Sequence, residues 1–365
     1  VLKGLTQTRE FQQVFQWLDS RFQLAPLMAF AAKKKVPIHR HSVWYYMGGI
    51  ALMLIGVQVL TGILLSIYYI PELSSANASI LKLTTKVEFG WFIRSLHSWA
   101  ANLLIAVVFV HMFSAYFMKA YRPPREITWW SGLALLGLMM AFGFTGYLLP
   151  WDEVAFFATK IGLDIASKTP LVGEWLANVL RGGPQIGQAT LSRFFTIHVF
   201  LLPLGLMAFM GGHLWLVQTQ GMSEPKHFKA LPEKEKTYEP FFPTFVLKDA
   251  MVWLLFFNLL AACATLAPWS VGKEADPFAP APVGIKPEWY FLAMFQFLKL
   301  LPPMVGPIEG EMLGMGFFAL IGLILASVPL WDGANAPPGR SLWASRFGFV
   351  VLLGFITFTV WGMLS

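Results

Sequence analysis

Apolar residues arrive in long blocks separated by short polar punctuation. Seven blocks, at about 44–69, 91–118, 129–149, 194–217, 249–267, 313–331 and 346–364, approach or exceed the ~20 residues that a helix needs to cross a bilayer. Lettered A to G in chain order, they predict an all-α membrane protein of seven transmembrane helices. A further apolar run, 290–301, is too short to span and reads as an interfacial or re-entrant helix. The connection from 152 to 192 is half apolar and predicts two short helices; one this long is usually functional. Residues 219–243 are the most hydrophilic stretch, with Glu224, Lys226, Glu233, Lys234, Glu235 and Lys236. Four units follow: an N-terminal segment 1–42, a four-helix bundle 43–218, a hydrophilic linker 219–245, and a three-helix part 246–365.

Composition agrees with the pattern. The chain is 56% hydrophobic and 13% charged, against about 25% charged in a soluble domain. The single cysteine, Cys263, excludes an internal disulfide and a CxxCH haem attachment. The net charge of +7 lies in membrane-flanking segments, so it is no nucleic-acid signature. Residues 1–42 carry Lys3, Arg9, Arg21, Lys33, Lys34, Lys35 and Arg40 against Glu10 and Asp19, while Phe11, Val14, Phe15, Leu18 and Phe22 recur at helical spacing. That fits an amphipathic helix on the membrane surface, or one packed on a partner. The opening residues lack the short apolar core of a cleavable signal peptide. The basic N-terminus and the loop bearing Lys119, Arg122 and Arg125 fall on one side, the cytoplasmic one by the positive-inside rule. The expected location is therefore a bacterial inner membrane.

The chemistry lies in four histidines. Span B carries His97 and His111, 14 residues apart; span D carries His198 and His213, 15 apart. Fourteen helical residues turn through about 1,400°, some 40° short of four turns, and 15 overshoot by about 60°; the rise is about 21–22 Å. Each helix thus shows two imidazoles on nearly one face. Histidine within a span is rare and usually functional, although any one alone could be a hydrogen-bonded core residue. Matched depths pair His97 with His198 at the outer level and His111 with His213 at the inner. Two axial imidazoles complete the coordination of a haem iron and suit electron transfer. Gly48 and Gly62 in span A, and Gly132 and Gly146 in span C, repeat the 14-residue spacing. They read as room for two ring faces, or as plain helix packing.

These features, with Gly146-Tyr147-Leu148-Leu149-Pro150-Trp151 closing span C and Pro287-Glu288-Trp289-Tyr290 after span E, resemble cytochrome b of the quinol-oxidising cytochrome bc and b6f complexes. The resemblance runs from about residue 35 to the end. The seven spans and the 15-residue spacing in D resemble the b6 type joined to its subunit IV. It departs at Tyr46, where the b6 type has a haem-tethering cysteine, so no covalent third haem is expected. Ser98 and Ser114 stand where the b6 type has arginines.

The resemblance implies two non-covalent b haems in a dihaem bundle of spans A to D. It also implies a quinol pocket lined by Glu288, Tyr290, Tyr147, Trp151, Pro287 and Trp289, and a role for Asp249 at an inner quinone site. Partners would be a Rieske iron–sulfur protein and a c-type cytochrome or similar acceptor, around a homodimer in membrane lipid. On the residues alone, Glu288 is either a proton acceptor or the cap of a short helix, and the aromatic residues are equally good interfacial anchors. Asp249 could be a solvated carboxylate at a helix start. Arg94 and Arg193 suit haem propionates or snorkelling to the interface. His39, His41 and His227 read as surface residues, or, for His39 and His41, as neighbours of the inner quinone. The function expected is quinol oxidation coupled to transmembrane electron transfer and proton translocation. The rivals are a dihaem anchor serving a soluble dehydrogenase and a haem-free transporter with histidine proton relays.

Overall fold

The structure is a computed structural model and describes residues 8–333 and 335–365. Among the described residues, seven helices are long and apolar enough to cross a membrane: A Ser42–Ser66, B Gly90–Phe117, C Glu126–Leu148, D Gln188–Gln220, E Phe241–Leu266, F Gly310–Trp331 and G Pro338–Leu364. Hydrocarbon offers no hydrogen bonds, so a spanning segment must satisfy its own backbone, and a helix does. The helices alternate in direction. The N-terminal segment, the B–C loop, the linker and the F–G turn share one end, called here the near end. The A–B, C–D and E–F connections form the far end.

Spans D and E begin earlier than hydropathy alone suggests. The first turns of D pack Thr190, Leu191 and Phe194 into the far-end core, so packing extends the helix past the end of its apolar run. The C–D connection holds two helices, Glu153–Ser167 and Gly173–Arg181. Asp152 starts the first, its Oδ1 accepting from the Ala155 amide at 2.9 Å, which satisfies one of the free N–H groups of a first turn. The run after span E forms the helix Trp289–Leu298 and packs against span G.

Spans B on A, and D on C, make the main pairings of the bundle, with E against A and B. The central core joins Ile50, Leu54, Leu104, Met139, Leu206 and Leu260. At the near end the linker folds back on the N-terminal segment. Strand β1 (Lys35–Pro37) pairs antiparallel with β2 (Tyr238–Pro240), with Val36 opposite Glu239. Also there, fully buried Asp332 lies 3.1 Å from Lys119 Nζ and 2.7 Å from Arg122 Nη2 and accepts from the Tyr121 hydroxyl. This clasp fastens the F–G turn to the B–C loop.

Span D carries one irregularity that bears on the site. Ile197–Leu201 forms a π-bulge, in which the Leu202 amide donates to the Ile197 carbonyl five residues back. Pro203 follows directly, and a proline inside a helix lacks its N–H and collides with the carbonyl four residues earlier. A π-bulge adds one residue to the turn, which absorbs about 100° of rotation. The 15-residue spacing of D therefore behaves as the 14-residue spacing of B, and the expected 60° overshoot is removed.

Candidate functional site

Two layers of imidazoles stand inside the bundle of spans A to D. At the far end the His97 and His198 ring centroids are 6.4 Å apart, with planes at 67°. At the near end His111 and His213 lie within electrostatic reach of each other. The pairs are those expected from matched depths.

Each ring is held from behind. Thr61 Oγ1 lies 2.9 Å from His97 Nδ1, Thr145 Oγ1 3.1 Å from His198 Nδ1, and Ser131 Oγ 2.9 Å from His213 Nδ1. All three hydroxyls already donate to a carbonyl of their own helix: Thr61 to Val57, Thr145 to Ala141 and Ser131 to Thr128. A hydroxyl has one proton, so its oxygen accepts from the imidazole. That fixes the Nδ1–H tautomer and leaves Nε2 a free lone pair, the form that binds a metal. His111 is the exception, its buried Nδ1 having no partner.

The four glycines meet the same rings. A Cβ at Gly48, Gly62 or Gly132 would come 3.3, 3.4 and 3.4 Å from Cε1 of His111, His97 and His213, and one at Gly146 would come 2.6 Å from His198 Cε1. The room they leave is taken by the imidazole edge, which refines the expectation of space for a porphyrin face. The hydroxyls were not singled out from the sequence, yet their signal is there: Thr61-Gly62, Ser131-Gly132 and Thr145-Gly146 are adjacent pairs, whereas Met47 precedes Gly48. One residue seats the ring and its neighbour fixes its tautomer.

The donor set suits haem. Among the described residues no group of three or more His, Cys, Asp or Glu could hold a metal ion. A bare cation therefore lacks ligands here, whereas a tetrapyrrole brings four nitrogens of its own and needs only the two axial ones that each histidine pair offers.

The two arginines are engaged with backbone. Buried Arg94 donates to the Trp269 carbonyl at 2.5 Å and the Ser270 carbonyl at 3.0 Å, tying span B to the loop after span E. Arg193 donates to the Val179 carbonyl at the end of the connection helix. Ser114 donates to the His111 carbonyl at 2.8 Å, and Ser98 supplies a carbonyl to Asn102 at 3.0 Å. Tyr46 stacks on Phe245, centroids 4.8 Å apart and planes within 6°.

At the far end a cavity of about 280 Å³ opens between span C, the helix Glu153–Ser167 and the helix Trp289–Leu298. Tyr147, Pro287, Glu288 and Tyr290 line it, against an apolar wall that includes Phe144, Ile161, Phe291 and Met294. Tyr290 places its hydroxyl over the bare backbone of Gly143. Burial pushes the Glu288 carboxyl above its ordinary range, only partly countered by the Trp289 amide.

Two expected lining residues stand elsewhere. Trp151 adopts a left-handed backbone, φ 50°, which turns the chain after span C and buries its indole in the far-end core beside Phe156. Trp289 is one position from Tyr290, so it faces about 100° away around the helix; its Nε1 donates to Asn102 Oδ1 at 2.8 Å. Asp249, in the first turn of the regular part of span E, presses its carboxylate onto Gly49, and its Oδ1 is buried without a partner. Near that end His39, His41 and His227 gather with ring centroids 5.5 to 6.2 Å apart. His39 Nε2 meets the Tyr45 hydroxyl at 2.8 Å.

Paired imidazoles at two depths of a seven-span bundle define a haem-binding electron-transport protein of the membrane. A family model described as cytochrome b/b6/petB matches residues 32–221, and one described as cytochrome b (C-terminal)/b6/petD matches 274–365. The cytochrome bc complex cytochrome b subunit of Chlorobaculum thiosulfatiphilum is 46% identical over 338 residues, covering 92% of this chain and 77% of that protein. The menaquinol:cytochrome c reductase cytochrome b subunit of Bacillus subtilis (strain 168) is 40% identical over 220 residues, 58% of this chain and 98% of its own. Cytochrome b6 of Synechococcus sp. (strain JA-3-3Ab) is 39% identical over 213 residues, with coverage of 58% and 99%. A solved chain titled hyperthermophilic respiratory Complex III shares the fold, with a TM-score of 0.77 at 23% identity over 96% of this chain and 98% of that one. The chain belongs to the cytochrome b/b6 family.

Proposed function

We propose that the chain is the dihaem, quinol-oxidising subunit of a bc-type complex that reduces a c-type cytochrome or similar carrier. His97 with His198 holds one b haem at the outer level, and His111 with His213 a second at the inner level. When bound, the haems supply two stations for single electrons crossing between those depths. The observation that carries this reading is the matched pair of histidine layers, each ring seated on a glycine.

The chain's own residues do the rest. The apolar far-end cavity takes the quinol ring and excludes water. Oxidation of a quinol releases two protons, and Glu288, its carboxyl raised by burial, accepts one as the carboxylate. Tyr147 and Tyr290 set polar atoms against the ring in an otherwise apolar wall. At the near end Asp249 supplies a proton to an inner quinone. Arg94 and Arg193 hold the haem-facing ends of B and D in place and keep spare N–H donors for a propionate. With Tyr46 in place of a cysteine, nothing tethers a third haem covalently.

The two family matches, 32–221 and 274–365, support a division into N-terminal segment, dihaem bundle 43–218, linker 219–245 and C-terminal part 246–365. The cations of the near end support a cytoplasmic orientation for it and for the N-terminus, in a bacterial inner membrane. A Rieske protein docks at the outer face, and the working unit is a homodimer of the complex. The test is Glu288→Gln in the purified complex. Quinol-dependent reduction of the acceptor should fall at least tenfold, about 1.4 kcal/mol of barrier. In the wild type the rate should rise with pH through an ionisation above the ordinary glutamate range, a limb the variant lacks. An unchanged rate and pH profile would favour the dihaem anchor that only shuttles electrons.

A further inference from the structure

Thr159 stands midway along the helix Glu153–Ser167, on the wall of the far-end cavity. It is 1% exposed, and its Oγ1 is buried with no hydrogen-bond partner. That is unusual in this molecule. Thr61, Thr84, Thr145, Thr196, Thr219 and Thr265 each donate to the carbonyl four residues back. The other buried threonine hydroxyl without a partner among the described residues, that of Thr359, does not border the cavity. The neighbours of Thr159 on the same wall, Ala158, Ile161, Gly162, Ile165 and Ala166, are apolar, so Thr159 is the one residue with a polar side chain that this helix contributes to the cavity wall. Buried polar groups are nearly always hydrogen-bonded, and one left open calls for a missing partner.

We propose that the Thr159 hydroxyl hydrogen-bonds a ring oxygen of the quinol, and of the quinone it becomes, in the far-end cavity. This rests on the reading of that cavity as the quinol site. A quinol carries two ring hydroxyls and a quinone two carbonyls. A threonine hydroxyl both donates and accepts, so once its side chain turns toward the cavity it can accept from the first and donate to the second. Glu288 accepts but, once ionised, cannot donate. The two residues therefore divide the work: Glu288 takes the proton, and Thr159 fixes the orientation of the ring across the change in oxidation state. Thr159 acts on binding, not on proton transfer.

The test uses the intact complex in its membrane, with Thr159→Val, which keeps the shape and loses the hydroxyl, and Thr159→Ser, which keeps the hydroxyl. One neutral hydrogen bond corresponds to about two- to tenfold in affinity. Thr159→Val should raise the KM for quinol by that factor with kcat little changed, and Thr159→Ser should stay within twofold of wild type. The infrared carbonyl stretch of bound quinone should rise in the valine variant and not in the serine one. Haem spectra check assembly, and Thr159→Ala replaces the valine variant if assembly fails. If Thr159→Val leaves KM and the carbonyl stretch unchanged while Glu288→Gln cripples turnover, the quinol site stands and the role of Thr159 is overturned. If neither substitution affects quinol oxidation, the cavity reading falls, and this one with it.

Discussion

A hydroxyl followed by a glycine does two things for a histidine on the facing helix: the glycine admits the ring and the hydroxyl chooses its tautomer. The fit is tightest at Gly146, where a Cβ would stand 2.6 Å from His198 Cε1, against 3.4 Å for Gly62 and His97. Gly146→Ala must therefore displace its ring, while Gly62→Ala needs a shift of a few tenths of an ångström at most. Expected for Gly146→Ala is loss or a marked shift of the outer haem band; for Gly62→Ala, a near-normal spectrum with both haems. Equal spectra for the two variants would contradict the seating. The histidines and glycines were legible in the sequence because imidazole and glycine are both anomalous inside a span. The hydroxyls were not, since Thr and Ser occur in spans for many reasons and only the facing ring tells which of them matters. Trp151 and Trp289 were misplaced because orientation about a helix or a left-handed turn is invisible in residue type.

At the scale of the element, the π-bulge explains why spans with different histidine spacings present one geometry. A plain helix lacking one bulge residue would keep His198 and His213 in phase. Deletion of Phe200, exposed on the helix surface, should therefore retain both haems, whereas deletion of Phe109 in regular span B should swing His111 through about 100° and lose one. Comparable spectra for the two deletions would refute this account of span D. Span existence was plain from hydropathy, and the ends of D and E were not, because their first turns are held by packing and not by lipid. The clasp on Asp332 belongs to this scale too. Burial alone would raise its carboxyl, but the bonds from Tyr121, Arg122 and Lys119 outweigh it and hold the group below the usual range. Its stabilising contribution is then present above the ordinary carboxylate value and is lost as pH falls through the depressed one. Asp332→Asn should cost about 3 kcal/mol at neutral pH, read as easier thermal release of the F–G turn, with the haem spectrum of the folded protein unchanged.

For the whole molecule, the bundle of A to D carries the paired imidazoles, and the C-terminal part closes the far-end cavity from outside through Glu288 and Tyr290. Neither half builds both features. The hydrophilic 219–243 stretch suggests a division of the chain there. What it hid is that the linker is not free, since β2 pairs with β1 of the N-terminal segment; three-residue strands carry almost no pattern of their own. The gathering of His39, His41 and His227 was hidden for the same reason, because it depends on that pairing across nearly two hundred residues of chain. The most direct test of the central claim is a redox titration of the reduced-minus-oxidised spectrum of the isolated complex, wild type beside His97→Leu and His111→Leu. The account predicts two b-type waves in the wild type, loss of the outer wave in the first variant and of the inner wave in the second. A wild type with no paired b-haem bands, or a His97→Leu protein that kept both waves, would contradict it.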